Sequence, residues 1–422
     1  MIGETAGWIR GRQGRRASHR WFPALGPVRG IILFVPPWGD EMNHTRPLMA
    51  AGARALAAAG WEVRCHDPYG TGDSDGEFME ATLRGWCEDL ADDVVEAGYR
   101  GPVVVWTARQ GALLVPPLLA ELKQRRKRAP AAVVSWSPVT SGAAALTQWL
   151  RIAAMGGDER PESLRARLEA SESLLAAGYP LTPAFAREVA ALDAVAKPAT
   201  DPHERPVDTP RRQAWDAIAL GLTRFWLETE APLEVALVSP LVDWLERNLP
   251  AVHDSEVTLV GLQSPAEPGE GCSRRGTAHH PWPLQLTVPV GAAGRPGVLF
   301  VVGGSQTRVG AHRQFLRWAR AFADAGHATC RFDRSGRGDA EGPRLAPEQA
   351  GNELRAALEQ AVDSTSVKRW VVFGLCDGAT AGLLHLADHP AVAGLLAVNP
   401  WIAPSTAVAS QALVDGHYAR RW

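Results

Sequence analysis

Short, fully apolar runs alternate along the chain with longer stretches in which apolar residues recur every three or four positions. The runs Ile31 to Val35 (IILFV), Val103 to Trp106, Val298 to Val302 and Trp370 to Phe373 are short, rich in Val and Ile, and bounded by Gly or Pro. That is the pattern of strands buried on both faces. Ala/Arg/Leu stretches between them carry helical periodicity, and two of them stop at a glycine, Gly60 and Gly326. Strand–helix alternation of this kind predicts an α/β fold with a mostly parallel sheet and helices on both faces. It fixes a class and leaves the chemistry open.

The pattern occurs twice. Gly30-IILFVPPWGDEMNHTRPLMAAGARALAAAGWEVRCHDPYGTGDSDG aligns with Gly297-VLFVVGGSQTRVGAHRQFLRWARAFADAGHATCRFDRSGRGDAEG. Asp67 matches Asp333, Asp73 matches Asp339 and Gly60 matches Gly326, all at an offset of 266. VVVWTARQG before Ala112 matches WVVFGLCDG before Ala379 at an offset of 267. A self-similarity of this length predicts two related units. The expected boundaries are 1–262 for the first unit, 263–283 for a linker (QSPAEPGEGCSRRGTAHHPWP) and 284–422 for the second. Residues 160–196 read as helical and 197–212, rich in Pro and charge, as a loop. Residues 1–29, Arg-rich and aperiodic, read as a loose or edge-forming segment.

Chemistry concentrates after the last apolar run of each unit. Gly374-Leu375-Cys376-Asp377-Gly378 lies between an expected strand and an expected helix (ATAGLLHLA), which is the G-x-nucleophile-x-G elbow with Cys at the nucleophile position. A thiol suits that place, because its ordinary pKa near 8.5 already leaves a few per cent thiolate at pH 7. The loop Gly303-Gly304-Ser305 after the first strand, together with the Asp377 backbone N–H, is the expected oxyanion hole. The bland alternative is a Cys that is merely small and buried between glycines. In the first unit the same position holds Arg109, which stays protonated and cannot attack a carbonyl. Arg109 either contacts an anionic group or pairs with a nearby acid such as Glu41. His312 is a weaker binding candidate. Arg337-Gly338-Asp339 aligns with Thr71-Gly72-Asp73 and therefore reads as a turn, not as an adhesion tripeptide. The run Lys123 to Arg128 reads as a solvated helix end.

Composition adds exclusions. The 422 residues carry 44 Lys+Arg against 46 Asp+Glu, a net charge of −2, which disfavours a strongly basic nucleic-acid binder. The five cysteines are scattered without CxxC spacing, so neither a disulfide framework nor a metal site is expected, and no cofactor motif is present. No run reaches the roughly 18 apolar residues of a membrane span. The expected location is cytoplasmic.

These motifs resemble the α/β-hydrolase superfamily, and the likeness extends to longer stretches. VVGGSQTRVGAHRQF, RFDRSGRGDAEG and GLCDGA resemble the exosortase A system-associated hydrolase 1 family over 284–422. PPWGDEMNHTRP, DPYGTGDSDGEF and WTARQGALL resemble its companion, hydrolase 2, over about 20–232. The resemblance implies a fusion of the two: two α/β-hydrolase-like units, a small acyl-type substrate (ester or thioester), and partner proteins of an exopolysaccharide or protein-sorting system. It also implies a catalytic acid and His on late strands. Only 46 residues follow Cys376, so the second unit is expected to be incomplete at its C-terminal side and to lack both at their usual place. His417 in a lid-like stretch is a poor base. Asp243, His253, His279 and His280 would serve Cys376 only if the two units shared a site.

Overall fold

The structure is a computed structural model that describes residues 2–24, 28–98, 101–155, 158–194, 210–216, 224–227, 237–249, 270–272, 284–304 and 306–401. The first sheet draws on β1 (Ile2–Arg10), β2 (Arg15–Pro23), β3 (Ile31–Val35), β4 (Glu62–His66), β5 (Val103–Ala108), β6 (Ala132–Trp136) and, after the lid hairpin β7 (Leu174–Ala176) and β8 (Tyr179–Leu181), β9 (Arg211–Trp215). The second draws on β10 (Glu270–Cys272), β11 (Gln285–Thr287), β12 (Gly297–Val301), β13 (Thr329–Arg331), β14 (Trp370–Leu375) and β15 (Val392–Val398).

The spatial orders are β1-β2-β4-β3-β5-β6-β9 and β10-β11-β13-β12-β14-β15. Each begins with an antiparallel pair that joins antiparallel to a parallel block. The two orders are the same six-strand plan, and β9 adds a seventh strand to the first. The repeat seen in the sequence is therefore a repeat of topology.

Alternate residues of one strand serve opposite layers, which is why the runs are apolar throughout. Ile31, Leu33, Val35, Val103 and Val105 pack under α2 (Leu83–Gly98) and α3 (Val115–Gln124), with the lid helices α4 (Gly142–Ala154), α5 (Pro161–Glu169) and α6 (Pro183–Ala190) beyond. Ile32, Phe34, Val104 and Trp106 pack under α1 (Asp40–Ala58) and α7 (Val238–Asn248). In the second sheet, Val298, Phe300 and Val302 face α8 (Gln314–Asp324). Leu299, Val301 and Val372 face α9 (Gly351–Ser364) and α10 (Asp377–Leu386).

Of the two readings of the N-terminal segment, the edge-forming one is seen: it is a hairpin at the sheet edge, whose buried residues Arg16, Ser18, His19 and Arg20 are polar, which hid the strand from any apolar pattern. Two expectations change. Glu270–Cys272, inside the expected linker, pairs with β11 as an edge strand. The helical reading of 160–196 is interrupted by the β7–β8 hairpin, whose turn uses Ala177 and Gly178 at positive φ.

The units dock through their D-x-x-G-x-G-D bends. In each bend the first Asp accepts the backbone N–H of the second: Asp67 from Asp73 (3.0 Å) and Asp333 from Asp339 (3.0 Å). Gly72 and Gly338 adopt φ 48° and 55°, and a Cβ at either would strike that Asp carboxylate. Arginines then cross between units. Arg46 holds its own unit's Asp67 and reaches Asp339 at 2.6 Å, while Arg308 holds its own unit's Asp333 and reaches Asp73 at 2.7 Å. Arg331 also binds Asp73, at 2.7 Å, and His19 lies between Glu4 (2.6 Å) and Asp339 (3.2 Å). All except Glu4 and the half-buried Arg308 are buried. These cations hold the carboxyls of Asp73 and Asp339 well below the usual range, although burial pushes the other way.

Candidate functional site

At the second elbow, β14 ends at Leu375 and α10 begins at Asp377, so the whole change of direction falls on Cys376 (φ 55°, ψ −126°). Left-handed φ at a non-glycine residue is strained and is held only by its surroundings. Both flanking glycines are required. A Cβ on Gly374 would lie 2.5 Å from the Ala379 Cα, and one on Gly378 would lie 2.4 Å from the Val301 carbonyl oxygen. The thiol that results is exposed, whereas Cys65, Cys87 and Cys330 are buried. Burial pushes the Cys65 and Cys87 thiols up to about 12. The reading of Cys376 as a small buried residue is therefore wrong: the elbow pushes it outward.

The loop after β12 comes close to this elbow, since a Cβ on Gly303 would meet the Leu375 carbonyl and the Cys376 Cβ. Gly304, at φ 58°, donates its N–H to the Asp377 carboxylate. The N–H of Gly304, in the loop expected to line the oxyanion hole, is thus engaged by a side chain. Sequence reasoning credited Asp377 with a backbone role only and missed its carboxylate. Ser305 lies outside the described residues. The other Asp377 oxygen faces Arg337 at 3.2 Å and Arg334 at 3.4 Å.

No described histidine bonds Cys376. His385 bonds the Pro347 carbonyl (2.9 Å), His327 the Pro296 carbonyl (2.8 Å), and His44 faces Asp40 (3.2 Å). His389 accepts the Ala391 N–H (3.2 Å), and His66 is buried against the Arg16–Asp93 pair. His312, at φ 40°, packs edge-on to Tyr179 of the lid, with ring centroids 6.4 Å apart, and is not brought to Cys376. Asp243 sits on α7, in the helical layer of the first unit. His253, His279, His280 and His417 lie outside the described residues.

The first elbow has the same backbone and opposite surroundings. Arg109 adopts φ 50°, and a Cβ on Gly111 would lie 2.4 Å from the Val35 carbonyl oxygen. Both units share the same mostly parallel α/β plan. The Arg109 guanidinium binds Glu41 (2.9 Å) and the Ser137 carbonyl (2.9 Å) and stacks over Trp226, 3.9 Å from the ring centroid. Of the two readings of Arg109, pairing with Glu41 is the one seen. Burial raises the Glu41 pKa and Arg109 lowers it, so the pair is mutually dependent. The loop after β3 buries Trp38 among Trp86 and Phe185, and a Cβ on Gly39 would strike Trp149 of the lid. Aromatic side chains thus fill the space over this elbow.

No family model and no curated protein matches the chain. Among solved structures it is similar to α/β hydrolase domain-containing protein 10 from mouse, at 14% identity and TM-score 0.39, covering 58% of this chain and 99% of that one. It is also similar to Est1E from Butyrivibrio proteoclasticus with ferulic acid bound, at 19% identity and TM-score 0.40, covering 57% and 98%. A third is a soluble variant of monoglyceride lipase from Saccharomyces cerevisiae with a substrate analogue, at 11% identity and TM-score 0.38, covering 58% and 97%. At such identities no activity passes from these proteins to this chain. Among the described residues, no helix is long and apolar enough to cross a membrane and no cluster of metal-ligating side chains occurs.

Proposed function

We propose that the second unit acts on ester or thioester bonds by acyl transfer to Cys376, and that the first is a non-catalytic frame docked against it. The observation that carries this reading is the exposure of Cys376 at a strained elbow, where the first unit keeps the strain but covers its Arg109. In the reaction, the Cys376 sulfur bonds to the acyl carbon and the leaving alkoxide or thiolate departs. It takes up the proton that the thiol lost, by way of solvent. Water then hydrolyses the acyl-enzyme, returning the thiol and a carboxylic acid. The Asp377 N–H, first in α10, faces the developing oxyanion with the positive end of the helix dipole behind it. The motif resemblance supports, as part of this proposal, a cytoplasmic role in an exopolysaccharide or protein-sorting system, with partner proteins from that system.

A panel of small acyl esters and thioesters, assayed with wild type and Cys376→Ala, tests the proposal. Turnover by wild type that the variant lacks is expected, and equal turnover by both removes Cys376 from the mechanism.

The Gly304–Asp377 bond favours a second reading, a hydrolase-fold binding or scaffold protein, because one oxyanion donor is taken. On that reading Cys376 reacts with iodoacetamide no faster than a free thiol.

A further inference from the structure

A charge cluster stands beside the Cys376 elbow that the fold did not bring with it. In the first unit the positions of Arg334, Arg337 and Asp377 are held by Pro68, Thr71 and Gln110. Arg334 is completely buried and well partnered, by Glu353 (2.9 Å) and the Leu345 carbonyl (3.2 Å), besides Asp377. Arg337 is 5% exposed and differently placed. Its Nη2 meets Asp377, but its Nε and Nη1 are buried without a partner among the described residues. Burial, and then the charge of Arg334, pull the Arg337 pKa down, which an anion on the free nitrogens would reverse. Buried guanidinium nitrogens without acceptors ask for one. Meanwhile a single carboxylate, Asp377, spans both arginines and the Gly304 N–H.

We propose that Arg334 and Arg337 form a carboxylate-binding subsite beside Cys376, held in the resting chain by the Asp377 carboxylate, so that the acyl compound this site takes is itself a carboxylate anion. This rests on the reading of Cys376 as the acyl acceptor. The ligand carboxylate takes the free Nε and Nη1 of Arg337 and draws the arginines from Asp377. Asp377 then turns toward solvent, to which its side chain is already 15% exposed. There it remains in the first turn of α10, where a negative charge is favourable. The same exchange releases the Gly304 N–H for the oxyanion. Recognition of the anion and assembly of the oxyanion hole become one event.

Iodoacetate and iodoacetamide differ in charge and share one chemistry: the sulfur–carbon bond forms, the carbon–iodine bond breaks and iodide leaves. Their rates at Cys376, read by peptide mass spectrometry, therefore measure the subsite without requiring turnover. Asp377→Asn keeps an amide oxygen for the Gly304 N–H and removes the competing charge. It is expected to raise the iodoacetate-to-iodoacetamide rate ratio about tenfold to a hundredfold, the range for hydrogen bonds to charged groups. Arg337→Gln in that background is expected to abolish the rise, and Arg337→Gln alone to lower the wild-type ratio. The last comparison still decides the matter if Asp377→Asn melts below the assay temperature. A ratio indifferent to Arg337 in both backgrounds overturns the subsite. Preference for iodoacetate with no ester turnover overturns acyl transfer and leaves the subsite standing. Turnover with no preference does the reverse.

Discussion

Replacing Asp339 by Asn tests whether the two units are held together by their buried charges. Asp339 is 3% exposed and is met by Arg46 Nε (2.6 Å) and Nη2 (3.0 Å), Arg308 Nη1 (2.9 Å) and His19 Nδ1 (3.2 Å). Asn offers one neutral oxygen and turns an NH₂ group toward donors. Removing one partner of a buried pair costs about 3–5 kcal/mol, because the remaining charge stays desolvated. Here the lower end is expected. Arg46 keeps Asp67, Arg308 keeps Asp73 and Asp333, and His19 keeps Glu4. The same interface supplies a control. Arg317 meets Glu77 at 2.8 Å, but those side chains are 45% and 36% exposed, so Glu77→Gln should cost less than about 1 kcal/mol.

Urea denaturation followed by tryptophan fluorescence reports on both units, since Trp21, Trp61, Trp106 and Trp136 are fully buried in one and Trp370 in the other. The expected outcome is a fall of about 3 kcal/mol for Asp339→Asn, with both units' transitions moving together. A loss no larger than that of Glu77→Gln, or a shift confined to the second unit, would refute the claim that these charges join the units. An Arg46→Met/Asp339→Asn double-mutant cycle should return a coupling of about 1–3 kcal/mol.

Arg109→Ala strands the buried Glu41 and is expected to cost about 3 kcal/mol in the same assay, with Glu41→Gln recovering part of the loss. Gly378→Ala would bring a methyl group to 2.4 Å from a main-chain oxygen, so it should lower the melting temperature by several degrees and abolish any Cys376-dependent turnover. His66 supplies a pH prediction. Burial, and then Arg16, Arg20 and Arg64, against the opposing pull of Asp93, lower its pKa to about 3. The unfolded chain therefore takes up a proton near pH 6.5 that the folded chain refuses, and stability falls by about 1.4 kcal/mol per pH unit below 6.5. His66→Gln should flatten that slope between pH 6 and 4, and an unchanged slope would remove His66 as its cause. His19 has the opposite sign. Its pKa is raised by Glu4 and Asp339 against burial, so its contribution is complete below pH 6.5 and is lost as pH rises through its folded value.

What could be read in the chain beforehand was what local pattern carries. The apolar runs marked β3, β5, β12 and β14, the spacing of glycines marked both elbows, and the aligned Asp residues marked the bends. The hairpin β1–β2 and the strand β9 (RRQAW) could not be read this way, because polar and charged residues break any apolar run in them. Arg16 meets Asp93 (2.7 Å) and Asp89 (3.6 Å) on a distant helix. The docking of the units was hidden for the same reason. Arg46 and Asp339 are 293 residues apart, and neither has a local feature that names the other. At the site, the elbow was legible but the plugging of the Gly304 N–H was not, because a side-chain rotamer decides it.

The two elbows together separate what the fold imposes from what chemistry requires. Backbone strain at a turn between strand and helix is often taken as a mark of catalysis. Here the same strain occurs at Arg109, a residue that cannot attack a carbonyl, with the equivalent glycine packed against the neighbouring strand's carbonyl. The strain is therefore a cost of joining β5 to the 3₁₀ turn after it, and β14 to α10, and it persists where no nucleophile is served. What differs is everything the sheet does not dictate. In the first unit the side chain is folded inward onto Glu41 and Trp226, and aromatic residues of the lid fill the space above. In the second the side chain is exposed, and the neighbouring charges gather on Asp377, one residue away. Selection for stability alone would favour covering both elbows in the first manner, because an uncovered side chain at a strained turn buries no surface in return for its strain. That Cys376 stays uncovered while Arg109 is covered is the asymmetry that a functional role for the second elbow explains.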